Sequence, residues 1–417
     1  MPPCGAGPVT ATEDGNGRWR VLALMTAAQG GASIVQQALG ALSPILVATF
    51  ALSKAQLGIV FSAISVGATC FTAISGALTD RWGERKMLLV AASIMTFALL
   101  AASISSDYLW LVATMTIYGA GFASSTPAGG RAILTWFGRD RGFAMGIRQT
   151  GNSVGGLIGA LSLPLVASLG GYRAAFGFAA VLVALPGLVA FVFYRESHDD
   201  TAGRATLSSV AGGMTALMRD PRMIAVTLTS MLLSACQFVV NGFLTITAVN
   251  VVHTSVHVAG LALAVAFATA IGGRLGWGVA SDHWFGGGRL VPLAVIAVLA
   301  GIGASMLVFL HPGAVGMLFA ASALLGLSAS GWNGLMAAAF SEFGGPERAA
   351  SALGLGLTGI FAASAVAPWL FGFAADRNSL SWAWAAMALL SFVASVPVLW
   401  LRAWLAATAS EGAKSPV

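Results

Sequence analysis

Residues 76–86 read GALTDRWGERK, a short polar hairpin set between two long apolar runs. A weaker copy, GVASDHWFGGGR, occupies 278–289. The two aspartates, Asp80 and Asp282, stand 202 residues apart in a chain of 417, so the same hairpin occurs once in each half. A second echo relates 141–151 (RGFAMGIRQTG) to 348–359 (RAASALGLGLTG) once one residue is inserted. The chain therefore reads as a duplicated unit.

What surrounds the hairpins sets the class. Hydrophobic residues make up 57% of the chain and charged residues 9%, against roughly 25% charged in a soluble domain. Such a chain cannot clothe itself in polar surface and is solvated by lipid. The net charge of +6 does not indicate nucleic acid, because the basic residues are dispersed among short loops. Cys4, Cys70 and Cys236 are scattered and form no metal or disulfide framework. Residues 1–18 are polar and rich in Gly and Pro, and read as a disordered tail rather than a signal peptide.

A membrane-spanning helix needs about 20 mainly apolar residues. The pattern predicts an all-α membrane protein with twelve spans, near 21–50, 57–79, 87–105, 109–135, 142–168, 174–194, 223–250, 257–281, 290–310, 314–340, 349–372 and 382–405. These form two six-helix bundles, 19–194 and 223–405, joined by a polar linker at 195–222 and followed by a tail at 406–417. Within the linker, 207–218 suits a short interfacial helix. With both termini cytoplasmic, sixteen of the 21 cationic residues fall inside. Lys54, Arg173 and Arg377 alone fall outside, and Arg148 and Arg274 lie within spans. That asymmetry fixes the orientation.

Many secondary transporters are built from internal repeats, and the hairpin itself resembles the loop between spans 2 and 3 in the major facilitator superfamily. The first copy matches fully; in the second, His283 stands where Arg81 does. The resemblance implies two bundles related by a pseudo-two-fold axis. It also implies gating roles for Gly76, Asp80, Arg81, Gly83, Arg85, Arg131, Asp282 and Arg348. Asp80 would dock on the start of span 11 near Arg348, with Arg131 as a further partner. Asp282 would dock on the start of span 5 near Arg141. Both contacts would latch the cytoplasmic side in an outward-open state, each carboxylate meeting a helix N-terminus. The run Gly146…Gly151-Asn152-x-x-Gly155-Gly156 resembles the superfamily's antiporter motif, with Asn152 in place of proline.

Arg148 and Arg274 carry the reading of cargo. Arg274 precedes Asp282 by about 12 Å of helix and Arg148 follows Arg141 by about 10 Å, which sets both deep in a hydrocarbon layer about 30 Å thick. The repeat places Thr72 opposite Arg274 and Gly356 opposite Arg148, so each arginine breaks the symmetry. All fifteen acids fall in termini, loops or helix ends. Two cations without a counter-charge point to an anionic substrate, and a guanidinium fork suits a carboxylate. The competing reading is that an arginine bonds helix-end carbonyls or snorkels. An arginine in span 8 also resembles the oxalate/formate exchanger and monocarboxylate carrier branches. The lysine of span 11 in the former has no match between 353 and 371, and Ala270 replaces an aspartate of the latter.

Gln29, Gln36, Tyr118, Gln237, Asn241 and Asn333 are candidate cavity residues, on spans 1, 4, 7 and 10, which line the central cavity in this superfamily, and Asn152 on span 5 is a further substrate-site candidate. Amides equally serve as glue between helices. His253 and His257 have metal-ligand spacing but no third ligand, so no metal and no cofactor is expected. The reading is a monomeric carrier in a bacterial-type cytoplasmic membrane that moves a small organic anion by symport or exchange. Proton-driven efflux of a hydrophobic compound is the alternative, and it ordinarily wants an acid in span 1 or 4. A membrane enzyme or a sensor is a more distant third, since no HExxH, GxSxG or clustered His/Asp occurs.

Overall fold

The computed structural model describes residues 15–137, 141–196, 217–345 and 348–412, and is helical throughout its spans. The expected interfacial helix at 207–218 lies almost wholly outside these residues. Twelve spans run back and forth. Span 1 covers 15–50, with a 3-10 turn, Leu39–Leu42, between the helices Gly15–Ala38 and Ser43–Phe50. Spans 2, 3 and 4 are Lys54–Trp82, Glu84–Ser103 and Tyr108–Trp136. Spans 5 and 6 form one helical run, Arg141–Phe193, folded back where Gly170 and Gly171 leave helical geometry. Gly171 has φ 68°, a conformation open to glycine and costly for other residues.

The second half repeats the order. Spans 7, 8 and 9 are Pro221–Val251, Val256–Trp284 and Leu290–Val308. Span 10 is broken into Val315–Leu327 and Asn333–Gly344, span 11 is Ala349–Arg377, and span 12 joins Leu380–Val393 to Ser395–Gly412. Nine of the described helical segments are long and apolar enough by themselves to cross a membrane. One of the nine holds both spans 5 and 6. Span 4, rich in Ser, Thr and Gly, and the broken span 10 account for the difference from twelve. Helix extends to Gly15 at one end and Gly412 at the other, into stretches expected as tails.

The face bearing residues 15 and 412 and the loop at Gly83 is here called the basic face. The halves meet along two seams, span 2 against span 11 and span 5 against span 8, and both are tight only away from that face. At the first seam, a side chain on Gly58 would strike the carbonyl of Pro368, and one on Gly372 the carbonyl of Lys54. At the second, one on Gly260 would meet the carbonyl of Ala160 at 2.8 Å and one on Gly156 the ring of Phe267 at 2.8 Å. Toward the basic face, side chains added at Gly76, Gly146, Gly276, Gly278 or Gly354 would meet open space. The two bundles are therefore splayed apart on the basic face and closed on the other.

Candidate substrate site between the two halves

Arg148 lies on span 5, 2% exposed, with its guanidinium turned into the first half. It donates to Gln29 Oε1 at 2.6 Å and to the carbonyl of Thr126 at 3.3 Å, while its buried Nε has no partner. The polar chain continues from there. Gln29 Nε2 and Ser33 Oγ both donate to Asn152 Oδ1, at 2.8 and 2.5 Å, and Asn152 Nδ2 donates to Gln149 Oε1 at 2.9 Å. Spans 1, 4 and 5 are tied here by an arginine and three amides with no carboxylate among them.

Arg274, on span 8, reaches the other way. Its Nη1 crosses between the halves to the carbonyl of Gln149 at 2.6 Å, and its Nε donates to the carbonyl of Ser330 at 3.2 Å. The break in span 10 explains the second contact, because an interrupted helix leaves main-chain carbonyls without helical N–H partners. Trp277, one turn from Arg274, donates to the carbonyl of Leu327 at 2.8 Å. Asn333 donates weakly to Ser330 O at 3.3 Å and to Gln237 Oε1 at 3.4 Å. Both arginines thus engage one turn of span 5, Arg148 as part of it with its guanidinium turned into the first half, and Arg274 by bonding the Gln149 carbonyl from across the seam. No acid among the described residues forms an ion pair with either. Carbonyl bonding is what the competing reading expected for one arginine, and Arg274 shows it.

The remaining amides sit farther from the basic face. Asn241 Nδ2 donates to Gln37 Oε1 at 2.5 Å across the halves, Ser43 Oγ donates to the carbonyl of Gly242 at 2.9 Å, and Thr245 Oγ1 donates to the carbonyl of Gly40. Gln37, which was not among the sequence candidates, takes this bond; Gln36 beside it keeps a buried Oε1 without a partner. Tyr118 is fully buried, and its hydroxyl donates to the carbonyl of Ala32 at 2.7 Å. It braces spans 4 and 1.

The gating candidates divide by conformation. The side chains of Asp80 and Arg141 lie outside the described residues. Arg131 pairs with Glu84 at 2.9 Å, and Glu196 accepts from the backbone N–H of Arg85 at 2.8 Å. Gly83, at φ 83°, gives the loop its turn, and a side chain there would strike the Glu196 carboxylate. Arg85 donates from Nε to the carbonyl of Phe191 at 2.5 Å, whereas Arg81 is exposed. Asp282 stays within its own half: Arg289 donates to it at 2.6 Å and to Glu342 at 2.9 Å. Burial pushes the Arg289 pKa down, but the hydrogen bonds to Glu342 and Asp282 outweigh it and the net shift is upward. Arg348 is exposed where span 11 begins and makes no side-chain cap.

On the closed side, Asp376 of span 11 accepts from the backbone N–H groups of Lys54 at 3.0 Å and Ala55 at 2.8 Å, and lies 3.5 Å from Lys54 Nζ. Sequence reading passed over Asp376, Glu84, Glu196, Glu342 and Gln37. Asp376 carries a faint signal, an acid at a predicted helix end facing Lys54 at another. A further concavity of about 580 Å³ lies apart from these contacts. It is an apolar groove between spans 1, 5 and 6, floored by Gly30, Gly31 and Gly151 and with Trp19 at one end.

Comparison with known proteins decides the family. The family model described as Major Facilitator Superfamily matches residues 23–310 and 226–415. The chain belongs to the Major Facilitator Superfamily. An uncharacterized MFS-type transporter of Mycobacterium tuberculosis (strain CDC 1551 / Oshkosh) is 30% identical over 335 residues, 78% of this chain and 72% of the relative. More distant superfamily relatives include the fujikurins efflux protein of Gibberella fujikuroi, 27% identical over 210 residues, 50% of this chain and 44% of the relative. A probable sulfoacetate transporter of Cupriavidus necator is 27% identical over 165 residues, 39% and 38% of the two chains. The fold matches a crystal structure of a bacterial homolog of the human lysosomal transporter Spinster, inward-facing and unoccupied. The TM-score is 0.77 at 15% identity, with 93% of this chain and 98% of that one covered. The protein is thus a multi-pass MFS transporter.

Proposed function

We propose that this transporter carries a small organic anion, a carboxylate, across the cytoplasmic membrane by alternating access. The single observation behind this is that Arg148 and Arg274 engage one turn of span 5 through amides and carbonyls, with no acid among the described residues paired to either. Two cations at membrane depth without counter-charges are costly, and a bound anion offsets that cost. The name of the Cupriavidus relative, a probable sulfoacetate transporter, agrees with an anionic cargo. By the distribution of basic residues, the basic face is cytoplasmic and both termini lie inside; the splayed conformation is then inward-open. Asp80 and Asp282 act as latches when that side closes. With no membrane-embedded carboxylate to carry a proton, movement is coupled through anion exchange or through protons that travel with the cargo. The carrier works as a monomer.

A second reading, efflux of a hydrophobic compound, is favoured by the name of the Gibberella relative and by the apolar groove between spans 1, 5 and 6. Purified protein in proteoliposomes separates the two. Labelled mono- and dicarboxylates should accumulate, and Arg274→Gln should weaken binding at least about tenfold, the scale of one charged hydrogen bond. Unchanged anion affinity in a folded Arg274→Gln protein, or uptake of neutral hydrophobic probes alone, rejects the anion reading.

A further inference from the structure

The groove between spans 1, 5 and 6 owes its floor to glycine. A side chain on Gly151 would strike the carbonyl of Thr26 at 2.6 Å, and one on Gly31 would meet Pro186 at 3.0 Å. Such small residues let helix backbones approach closely, and the side chains they lack leave a trough of about 580 Å³ above them. Thr26 holds the one hydroxyl in the lining, and it is spent on the carbonyl of Leu22 at 2.7 Å. Below its mouth, the trough offers a ligand no polar side chain.

The trough is open along its length, with Trp19 46%, Val154 37% and Ile158 42% exposed. From Trp19 to Ile34 it follows fifteen residues of span 1, about 22 Å of helix. One leaflet of a hydrocarbon layer about 30 Å thick is about 15 Å deep, so an acyl chain can lie in the trough over its whole depth. The mouth is different in kind. Trp19 packs edge-on against Phe137 at 5.9 Å, and tryptophan is enriched where membrane meets water. The Arg18 guanidinium stands 5.5 Å from the Trp19 ring, and that of Arg20 stands 5.5 Å from the ring of Phe193 on span 6. Arg20 therefore bridges spans 1 and 6 above the trough, and it forms no ion pair among the described residues. Arg195, exposed, lies two residues beyond Phe193. The acid beside it, Glu196, is taken up by the backbone N–H of Arg85. Basic groups over an apolar trough complement an anionic headgroup that carries an acyl chain.

We propose that this groove binds an anionic phospholipid, one acyl chain in the trough and the phosphate at the arginines of the mouth. The site shares no side chain with Arg148, Arg274 or the amides around them, so it stands independently of the anion reading. It does lie on the back of the same helix contact. Gly30 and Gly151 of its floor adjoin Gln29 and Asn152, which bond each other at 2.8 Å. A seated chain braces spans 1 and 5 where they carry that network. A neutral hydrophobic cargo is the rival occupant, and it would leave the arginines without a role.

Native mass spectrometry of the purified full-length protein tests this, from micelles holding equal amounts of phosphatidylglycerol and phosphatidylcholine with the same chains. Phosphatidylglycerol should be retained in at least about fivefold preference, the scale of one arginine beside an anionic lipid surface. Arg18→Gln combined with Arg20→Gln should lower that preference below about twofold and leave phosphatidylcholine retention unchanged. Ala27→Trp, at an exposed residue of the lining, should abolish the preferred retention by filling the trough. Ala23→Trp, one turn away, replaces it if Ala27→Trp lowers the thermal midpoint. Equal retention of the two lipids, or a preference that survives either the arginine or the tryptophan substitutions, overturns the inference. Displacement of the lipid by glycerol phosphate alone also overturns it, since the arginines would then hold a free anion. So does displacement by a neutral lipophile that proteoliposomes export, which would give the trough to cargo.

Discussion

Asp376 and Lys54 join the two halves on the closed side, the carboxylate accepting the Lys54 backbone N–H at 3.0 Å with the ammonium 3.5 Å away. Both residues sit at helix ends. Lys54 opens span 2, behind a capping box in which Ser53 and Gln56 bond each other's backbone N–H groups. Asp376 therefore supplies an anion from the other half to a helix N-terminus, where partial positive charge gathers. At the opposite end of span 2, Asp80 is proposed to make the reverse contact on the start of span 11. One pair of helices would then exchange latches as the carrier rocks.

Asp376→Asn should weaken the closed side without unfolding the protein. The group is partly exposed, so the contact is worth about 1 kcal/mol, roughly a fivefold shift in population. Spin labels at positions 53 and 378, in a background lacking the native cysteines, should report a larger share of the separated state. Unchanged distance distributions would remove Asp376 from the gate.

The glycines make a paired prediction. Gly58→Ala places a methyl against the carbonyl of Pro368 and should disfavour the closed seam, whereas Gly76→Ala meets open space in this conformation. Gly76→Ala should leave the thermal midpoint within about 2 °C and slow transport only through the state closed on the basic face. Equal effects of the two substitutions on the same labelled distances would contradict the rocking geometry.

Arg148→Lys keeps the charge but loses the planar guanidinium whose Nη2 donates to both Gln29 and the Thr126 carbonyl. A lysine is not an equivalent at such a site. Uptake should fall at least about tenfold with the protein still folded, and Gln29→Ala should produce a smaller loss in the same direction. Full activity in Arg148→Lys would show that only net charge matters there.

Arg289 holds Asp282 and Glu342 together within the second half. If Asp282 must leave this bridge to latch on span 5, Arg289→Ala should favour the state closed on the basic face by about 0.5–1 kcal/mol. Labels on the ends of spans 5 and 8 at the basic face should move closer together. A shift the other way would mean that Arg289 supports the latch rather than competing with it.

The sequence made the duplication, the twelve spans and the two symmetry-breaking arginines legible, because each follows from composition, spacing and the cost of charge in lipid. It did not reveal that Gln37, rather than Gln36, bonds Asn241. Neighbours on a helix differ by about 100°, and the 3-10 turn at Leu39–Leu42 alters the facing just where the choice falls. Nor did it show Arg274 resting on carbonyls, since the break at 328–332 in span 10 carries no proline to announce it. Asp376 stayed hidden for a different reason. Its hydrogen-bond partners are backbone N–H groups more than 320 residues away, which no side-chain pattern encodes, and the facing charge of Lys54 is the one trace in the sequence.

The broken span 10 has one more consequence. Arg274 already has two carbonyl acceptors, one in each half of the molecule, so under the proposed anion transport an arriving anion would compete with the protein's own main chain. A weakly basic or poorly shaped anion loses that competition, which makes the backbone itself a selectivity threshold. The same guanidinium also bridges the halves, bonding the carbonyl of Gln149 in the first and that of Ser330 in the second. Under the proposed alternating access it would sit close to the axis about which they rock. A single side chain can thereby set both how demanding the carrier is and the point about which it turns.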